Sequence, residues 1–329
     1  MSDDDLRWVV DKFRKYLETA DTGIESLSIS PDFREPDFAD DYRHLYTLAG
    51  ELSDGDVERY ELLSIWRLAR DRDYAAWAKS VGPDTCQISF FGMEETTDWF
   101  FRRKGAFQDA LTATELLLDV GMKPRWQLFL TKKLLPEIDD FLRLIERLSL
   151  PERVRKIGGE FRIFMHPPDP EHEGRKIEYL RPTAEELTSL AGWILEPSKK
   201  HFGSDILWQT ESELYASIIE EKLDIPDNEN ILSEPSHFWF FVTNNWDVFS
   251  NVGTLEPWWC LGNLRKDSVE TIMRRFERDE IPGLDALYHY PYRKLAEEYG
   301  NPHGRKIYSG KTDLVSLYLA RHCEKMLKS

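Results

Sequence analysis

The chain has 329 residues, of which 41% are hydrophobic and 31% are charged, a balance that is typical of a globular protein and excludes wholesale disorder. This length corresponds to about two domains of roughly 150 residues each. The 60 Asp and Glu residues against 43 Lys and Arg give a net charge of −17, which disfavours nucleic acid and anionic membranes as partners. No apolar run is long enough to span a membrane and the first residues lack signal-peptide features, so we predict a soluble, cytoplasmic protein.

The first half of the sequence alternates between the periodicities of helices and strands, which is typical of a parallel sheet covered by helices. Predicted helices begin near residues 6, 42, 73, 107 and 138, and another follows the capping residue Thr183 and continues to about residue 195. Strands are predicted over residues 24–30, 60–68, 85–91, 126–130 and 161–165. A barrel or partial barrel is preferred to an open doubly wound sheet, although periodicity alone does not decide between them. No glycine-rich nucleotide-binding motif follows any of these strands.

The second half does not continue the regular alternation of helices and strands, and its pattern predicts a smaller α+β part. An aromatic run from Phe238 leads through a turn at Thr243 into a second apolar run, and this pattern predicts a hairpin. Asp267 is predicted to cap the next helix, and Asp313 a final one. Three scattered cysteines form neither a disulfide framework nor a compact metal site; they are Cys86, Cys260 and Cys323. Cys86 is interpreted as a buried apolar residue.

Several stretches together resemble the radical S-adenosylmethionine (radical SAM) superfamily. Residues 86–98, with the Arg-Arg-Lys-Gly-Ala-Phe run over 102–107, resemble the fourth strand and following loop of that family. Arg34-Glu35-Pro36 resembles the turn that holds the methionyl amine of the cofactor, and residues 261–268 resemble the SPASM-type extension of peptide-modifying members. The order and spacing of these stretches carry the resemblance.

The resemblance implies a fold, two cofactors and a set of site residues. The fold is a partial (β/α) TIM-like barrel over residues 1–195, a connecting segment over 196–235 and a SPASM-like extension over 236–329. The implied cofactors are S-adenosylmethionine and a [4Fe–4S] cluster, which in the family yield a 5′-deoxyadenosyl radical. The cofactor-binding candidates are Glu35, Ser89 and Gln127. Against these roles, Glu35 is alternatively an exposed turn residue and Ser89 a hydrogen-bonded core serine, whereas Gln127 is expected to face the pocket and Arg125 the surface.

The family's defining Cys-x3-Cys-x2-Cys motif is absent from this sequence. Two explanations stay open. The reading frame starts upstream and this chain is a truncated enzyme, or the barrel is degenerate and another segment, such as residues 196–235, fills the gap at the sheet edge.

Three further groups of residues have both a functional and a structural interpretation. Asp98, Arg102 and Arg103 are interpreted mainly as an ion-paired loop that fixes a helix start. A hard-metal site is conceivable at one strand end, although a solvated loop is favoured; its residues would be His166, Asp169, Glu171, His172 and Glu173. His237, the run Phe238–Phe241 and the pair Trp258-Trp259 suggest an aromatic patch, for which a core position is favoured.

Three functional hypotheses follow. The first is a radical SAM-like protein, a truncated or cluster-lacking form of an enzyme whose substrate is unknown, with a peptide as one candidate. The second is a non-catalytic degenerate barrel that binds a peptide or protein partner. The third is a metal-assisted hydrolase built on His166 and His172. Without the cluster motif, we predict that this chain alone does not cleave S-adenosylmethionine.

Overall fold

The computed structural model describes residues 1–20, 24, 26–29, 40–54, 62–82, 84–220, 238–250 and 255–328. The chain divides into two compact units. We call one the sheet unit, which comprises Glu25–Pro168 and Leu180–Leu207, and the other the terminal unit, which comprises Met1–Ile24, Asp169–Tyr179 and Trp208–Ser329.

The described residues form a mixed α/β structure. In chain order, the α-helices are α1 (Asp3–Thr19), α2 (Tyr42–Leu52), α3 (Ile65–Leu68), α4 (Arg72–Val81), α5 (Glu94–Phe100), α6 (Ala106–Asp119), α7 (Ile138–Arg147), α8 (Leu150–Lys156), α9 (His172–Lys176), α10 (Gly192–Phe202), α11 (Glu211–Glu220), α12 (Val269–Glu277), α13 (Pro282–His289), α14 (Tyr292–Tyr299) and α15 (Lys311–Lys328). The strands are β1 (Thr85–Phe90), β2 (Lys123–Phe129), β3 (Arg162–His166), β4 (Gln209–Thr210), β5 (Phe240–Val242), β6 (Asp247–Ser250), β7 (Cys260–Asn263) and β8 (Ile307–Tyr308). Within this part of the chain, no helix is both long and apolar enough to cross a membrane.

The sheet unit contains a parallel sheet with the strand order β1-β2-β3. Helices α5 and α6 connect its first two strands, and α7 and α8 connect the second and third, as parallel pairing requires. The strands predicted near residues 85, 126 and 161 are therefore confirmed, and so is the mixed α/β class. The described residues contain three parallel strands, which do not confirm a partial barrel.

Two strand predictions are wrong for the residues described there. Residues 24 and 26–29 lie outside any strand, and the backbone N–H of Leu27 donates to the carboxylate of Asp54 at 2.8 Å rather than to a neighbouring strand. The apolar run predicted as a strand over 60–68 ends in helix α3, because Ser64 caps a helical turn by accepting a hydrogen bond from the N–H of Arg67.

One side of the sheet packs against helix α6. Phe90 lies 5.7 Å from Phe107 of that helix between ring centroids, and the indole N–H of the fully buried Trp126 donates to Thr114 at 3.1 Å. The helix ends where predicted, at Gly121, whose φ of +76° closes the last turn in a conformation that favours glycine. This packing fixes which side chains of β1 and β2 point away from the helices.

Helix α10 lies against β3, and the segment before it differs from the prediction. The helix predicted from Thr183 to residue 195 is instead a 3₁₀ turn over Ala184–Leu187, after which α10 begins at Gly192. The hydroxyl of Ser198 in α10 accepts a hydrogen bond of 3.0 Å from the backbone N–H of Met165. A side chain thereby satisfies a backbone donor of the last strand.

The terminal unit contains the predicted hairpin, in which β5 and β6 are antiparallel and β7 extends the sheet. The predicted cap of α12 is wrong by one residue. Ser268 caps the helix, whereas Asp267 accepts a hydrogen bond from the N–H of Asn263 and pairs with Arg275. Asp313 lies inside the first turn of α15 rather than before it, where it accepts a hydrogen bond from the N–H of Ser309.

Candidate functional site

The two faces of the parallel sheet differ in chemistry because side chains alternate along each strand. On β1, Cys86, Ile88 and Phe90 are buried on the side of helix α6. Gln87 and Ser89 therefore point to the other side, which we call the polar face. The pairing register places the remaining members of this face opposite them: Lys123, Arg125, Gln127 and Phe129 on β2, and Arg162, Phe164 and His166 on β3.

A row of hydrogen-bonded side chains crosses the polar face. The carboxamide oxygen of Gln127 accepts hydrogen bonds from the Gln87 amide at 2.7 Å and from the Ser89 hydroxyl at 2.8 Å. The amide nitrogen of Gln127 contacts Nε2 of His166, and the guanidinium of Arg125 donates to the Gln87 oxygen at 2.8 Å. We call these five residues the polar row. Gln127, at its centre, is 7% exposed, so its orientation is set by these partners.

Aromatic rings flank the polar row at the carboxyl ends of the strands. Phe91, directly after β1, stacks on Phe129 with ring centroids 4.5 Å apart, and Phe129 lies 5.0 Å from the imidazole of His166. Ligands of open α/β sheets bind outside the carboxyl ends of the strands. The His166 end of the row and its aromatic neighbours therefore lie at the edge at which such a ligand is expected.

A second imidazole lies beside the row. His201, near the end of α10, stacks on Phe164 with centroids 3.7 Å apart. Burial lowers the pKa of His201, and nearby positive charges lower it further. These charges lie on Arg125, His166 and Arg162. Both effects favour the neutral form of the His201 ring.

The polar row can recognise a polar ligand with groups that its internal bonds leave available. A carboxamide nitrogen carries two hydrogens, so Gln87 and Gln127 each keep one after the bonds described above. The Ser89 oxygen keeps its acceptor capacity. The strand positions of the polar face carry no carboxylate, so the face suits a neutral or anionic group of the ligand.

The structure brings together two of the three predicted cofactor-binding residues, Ser89 and Gln127. The third, Glu35, lies outside the described residues. Arg125, expected at the surface, joins the row instead. Sequence reasoning missed Gln87 and the contact of His166 with the row, although the polar residues two positions apart on both strands were a signal for one polar face.

The loop before α6 has the structural role that was favoured for it. The carboxylate of Asp98 accepts hydrogen bonds from the backbone N–H groups of Gly105 at 2.6 Å and Phe107 at 3.0 Å, which caps the helix. Arg103 pairs with Asp109 in the first turn of α6.

The hard-metal site considered at the end of β3 is not found. In the described part of the chain, no group of three His, Cys, Asp or Glu side chains is placed to hold a metal ion. The interpretation of the segment as a solvated loop is also wrong in part, because Pro167, Pro168 and Pro170 are buried and α9 begins at His172. The imidazole of His172 contacts Glu256 at 3.1 Å.

The aromatic patch considered in the second half is core in part, because Phe241 is 46% exposed whereas four other members pack in or against a buried cluster. Trp258 and Trp259 are 3% and 2% exposed, and Phe238 and Phe240 pack against the same buried cluster. His237 lies outside the described residues.

The cysteines do not fit a [4Fe–4S] cluster, which requires three thiolates close together. Cys86 is fully buried on the helix side of the sheet, whereas Cys260 and Cys323 belong to the terminal unit. Burial raises the pKa of the Cys260 thiol and raises that of Cys323 to about 12, which disfavours the thiolate form that binds iron. We therefore derive no chemical step through a cluster.

No family model and no curated protein matches the chain. Among solved structures, the chain is similar to native anSMEcpe with bound AdoMet, with a TM-score of 0.48 and 11% identity over 100% of this chain and 90% of that one. It is also similar to the structure of native anSMEcpe with bound AdoMet and the Kp18Cys peptide, with a TM-score of 0.44 and 10% identity over 87% of this chain and 81% of that one.

Proposed function

We propose that this chain is a cluster-lacking, radical SAM-like protein that binds a ligand on its polar face without cleaving it. The observation that carries the proposal is the placement of Cys86. This cysteine is the sheet unit's own thiol, and it is fully buried on the side opposite to Ser89 and Gln127. The polar row thus has groups to hold a ligand, while the sheet unit places no thiolate beside it.

S-adenosylmethionine is the ligand that the sequence resemblance implies. Ser89 and the spare amide hydrogens of Gln87 and Gln127 would bind its carboxylate or ribose, because these groups are neutral donors and acceptors on a face without strand carboxylates. The bonds within the row would hold the Gln127 carboxamide in one orientation before the ligand arrives, which lowers the entropy cost of binding.

We also propose the fold and partner that the sequence resemblance implies. The fold is a partial (β/α) barrel that ends at residue 195 and a SPASM-like extension that begins at residue 236, and the partner is a peptide or protein. A protein that holds S-adenosylmethionine without a cluster would present a bound molecule to that partner rather than generate a radical.

Isothermal titration calorimetry under air tests the binding. Wild type is expected to bind S-adenosylmethionine, and the double variant Ser89→Ala/Gln127→Leu is expected to bind it at least about tenfold more weakly, because charge-assisted and neutral hydrogen bonds are lost together. Gln108→Leu, an exposed position on α6, is the matched control and should bind as wild type does. If the double variant and wild type bind S-adenosylmethionine with equal affinity, the polar row is not the binding site.

Anaerobic reconstitution with iron and sulfide tests the absence of cleavage. We expect no bound iron above a protein-free blank and no 5′-deoxyadenosine after reduction. A brown protein with about four irons per chain that releases 5′-deoxyadenosine would refute the cluster-lacking assignment, whether or not the calorimetry succeeds.

A further inference from the structure

A polar cavity lies at the end of the parallel sheet where the strands begin, opposite to the end at which the aromatic rings flank the polar row. Its volume is about 230 Å³. Its lining comprises Thr85, Lys123, Pro124, Arg125, Gly158, Gly159, Glu160 and Arg162. All of these residues belong to the sheet unit, and the polar row plays no part in the cavity except through Arg125.

Strand geometry places the cations of this cavity on one face. Lys123 and Arg125 are two positions apart on β2, and Arg162 lies opposite Arg125 in the parallel register. Side chains two apart on a strand, or opposite each other on neighbouring strands, share a face and lie within a few ångströms of one another. Like charges in this arrangement repel, so an anion bound among them would relieve the repulsion.

The carboxylates near the cavity already have lysine partners. Glu160 accepts hydrogen bonds of 2.8 and 3.1 Å from Lys200, and Asp84 pairs with Lys79. Both contacts lower the pKa of the carboxyl group, with smaller contributions from Arg162 and Lys123 respectively. Within the described chain, Lys123 and Arg162 form no ion pair of their own. The cavity therefore keeps an excess of positive charge in a protein whose net charge is −17.

The glycines of the lining shape the cavity. Gly158 lies two residues after the end of α8 and has a φ of +83°, a conformation that favours glycine. At Gly159, an added Cβ would lie 2.7 Å from Cδ of Lys123. The aliphatic stem of Lys123 can therefore occupy this position only because residue 159 has no side chain. This close contact directs the lysine stem along the cavity wall.

We propose that this cavity is a binding site for a phosphate group, either as inorganic phosphate or as a small phosphomonoester. Lysine and arginine are the side chains that give charge-assisted hydrogen bonds to phosphate oxygens, and the Thr85 hydroxyl adds a neutral donor. Two or more positive charges match a dianion better than a monocarboxylate. The small volume and the acidic surface elsewhere favour a small molecule over a nucleic-acid chain.

Calorimetric titration at constant ionic strength tests the site with three probes: sodium phosphate, glycerol 3-phosphate and sodium chloride. We expect the phosphates to bind and chloride not to bind. Lys123→Gln/Arg162→Gln should weaken phosphate binding by about tenfold or more, because two charge-assisted donors are lost. Arg147→Gln/Arg155→Gln is the control with the same change in net charge at exposed positions of α7 and α8, and it should leave the affinity unchanged.

The outcomes separate the two sources of the phosphate group. Binding of inorganic phosphate supports a free-phosphate site, and binding of glycerol 3-phosphate alone supports a phosphomonoester site. Binding of neither, or equal weakening in both double variants, would overturn the proposal. If the Lys123 and Arg162 variant fails to fold, backbone amide shifts of wild type decide: phosphate should move the signals of Thr85, Lys123 and Gly159, and shifts confined to other regions would overturn it.

Discussion

Replacing Gln127 with leucine tests the polar row directly. Leucine is close to glutamine in volume, so the change removes hydrogen bonds without opening a large cavity. The wild-type side chain accepts from Gln87 at 2.7 Å and from Ser89 at 2.8 Å, and it contacts His166. All three contacts are lost in the variant.

The expected loss of stability follows from the number of contacts and their burial. A neutral hydrogen bond contributes about 1 kcal/mol net, which gives about 3 kcal/mol for three contacts. Gln87, Ser89 and His166 are only half-buried, so water can replace part of what they lose, and burying leucine in place of an amide offsets a further part. We therefore expect a net loss of about 1–2 kcal/mol in the opening free energy of the sheet.

Hydrogen–deuterium exchange of the peptides that cover β1 and β2 measures this loss locally, which suits a chain of two units because global unfolding need not be two-state. Exchange of these strands should become about five- to thirtyfold faster. Gln108→Leu on α6 is the control and should leave exchange unchanged. If the β1 and β2 peptides exchange at the same rate in Gln127→Leu and in wild type, the hydrogen bonds of the row contribute no stability. The row would then not hold the Gln127 carboxamide in one orientation.

Three further predictions concern individual carboxyl and hydroxyl groups. Asp98→Ala should cost about 1–2 kcal/mol, because the cap of α6 is lost, whereas Asp119→Ala at the exposed end of the same helix should cost nothing measurable in denaturant unfolding. Burial raises the pKa of Glu171 above its ordinary 4.5, so this group stabilises the fold below that pH and the contribution is lost as pH rises through the folded pKa. Glu171→Gln should therefore raise the melting temperature at about pH 8 and leave it unchanged at about pH 4; a lower value at pH 8 would contradict this. Tyr318→Phe removes a buried bond of 3.0 Å to a carboxylate and should cost about 1.5–3 kcal/mol, whereas the exposed Tyr179→Phe should be neutral.

The sequence predicted those elements whose periodicity and end signals agree. Helix α2 begins where it is predicted to begin, and β1 to β3 lie within two or three residues of their predicted bounds. The run ending at Leu68 was assigned to a strand because a short apolar run has no clear period. Its helical state depends on the cap at Ser64 and on the ion pairs of the buried Arg67 with Asp40 and Asp71, which are tertiary contacts that a local pattern does not contain.

The candidate site could be predicted in part for the same reason. Alternation along two strands is a local property, so the shared face of Ser89 and Gln127 followed from the sequence once the strands were assigned. The role of His166 did not follow, because it depends on the register between β2 and β3, which places the imidazole within reach of the Gln127 amide. Alternation within each strand assigns side chains to a face, but it does not say which residue of β3 lies opposite a given residue of β2.

The agreement between strand order in the sheet and strand order in the chain affects how the protein can assemble during its synthesis. Because β2 pairs with β1, and β3 then pairs with β2, each strand meets an edge that the earlier residues have already formed. None of the three described strands has to insert between two others, so this part of the sheet can grow as the chain leaves the ribosome. Helix α10 follows β3 in the chain, and its Ser198 hydroxyl accepts a hydrogen bond from the N–H of Met165, which occupies a backbone donor that another strand would need in order to pair with β3.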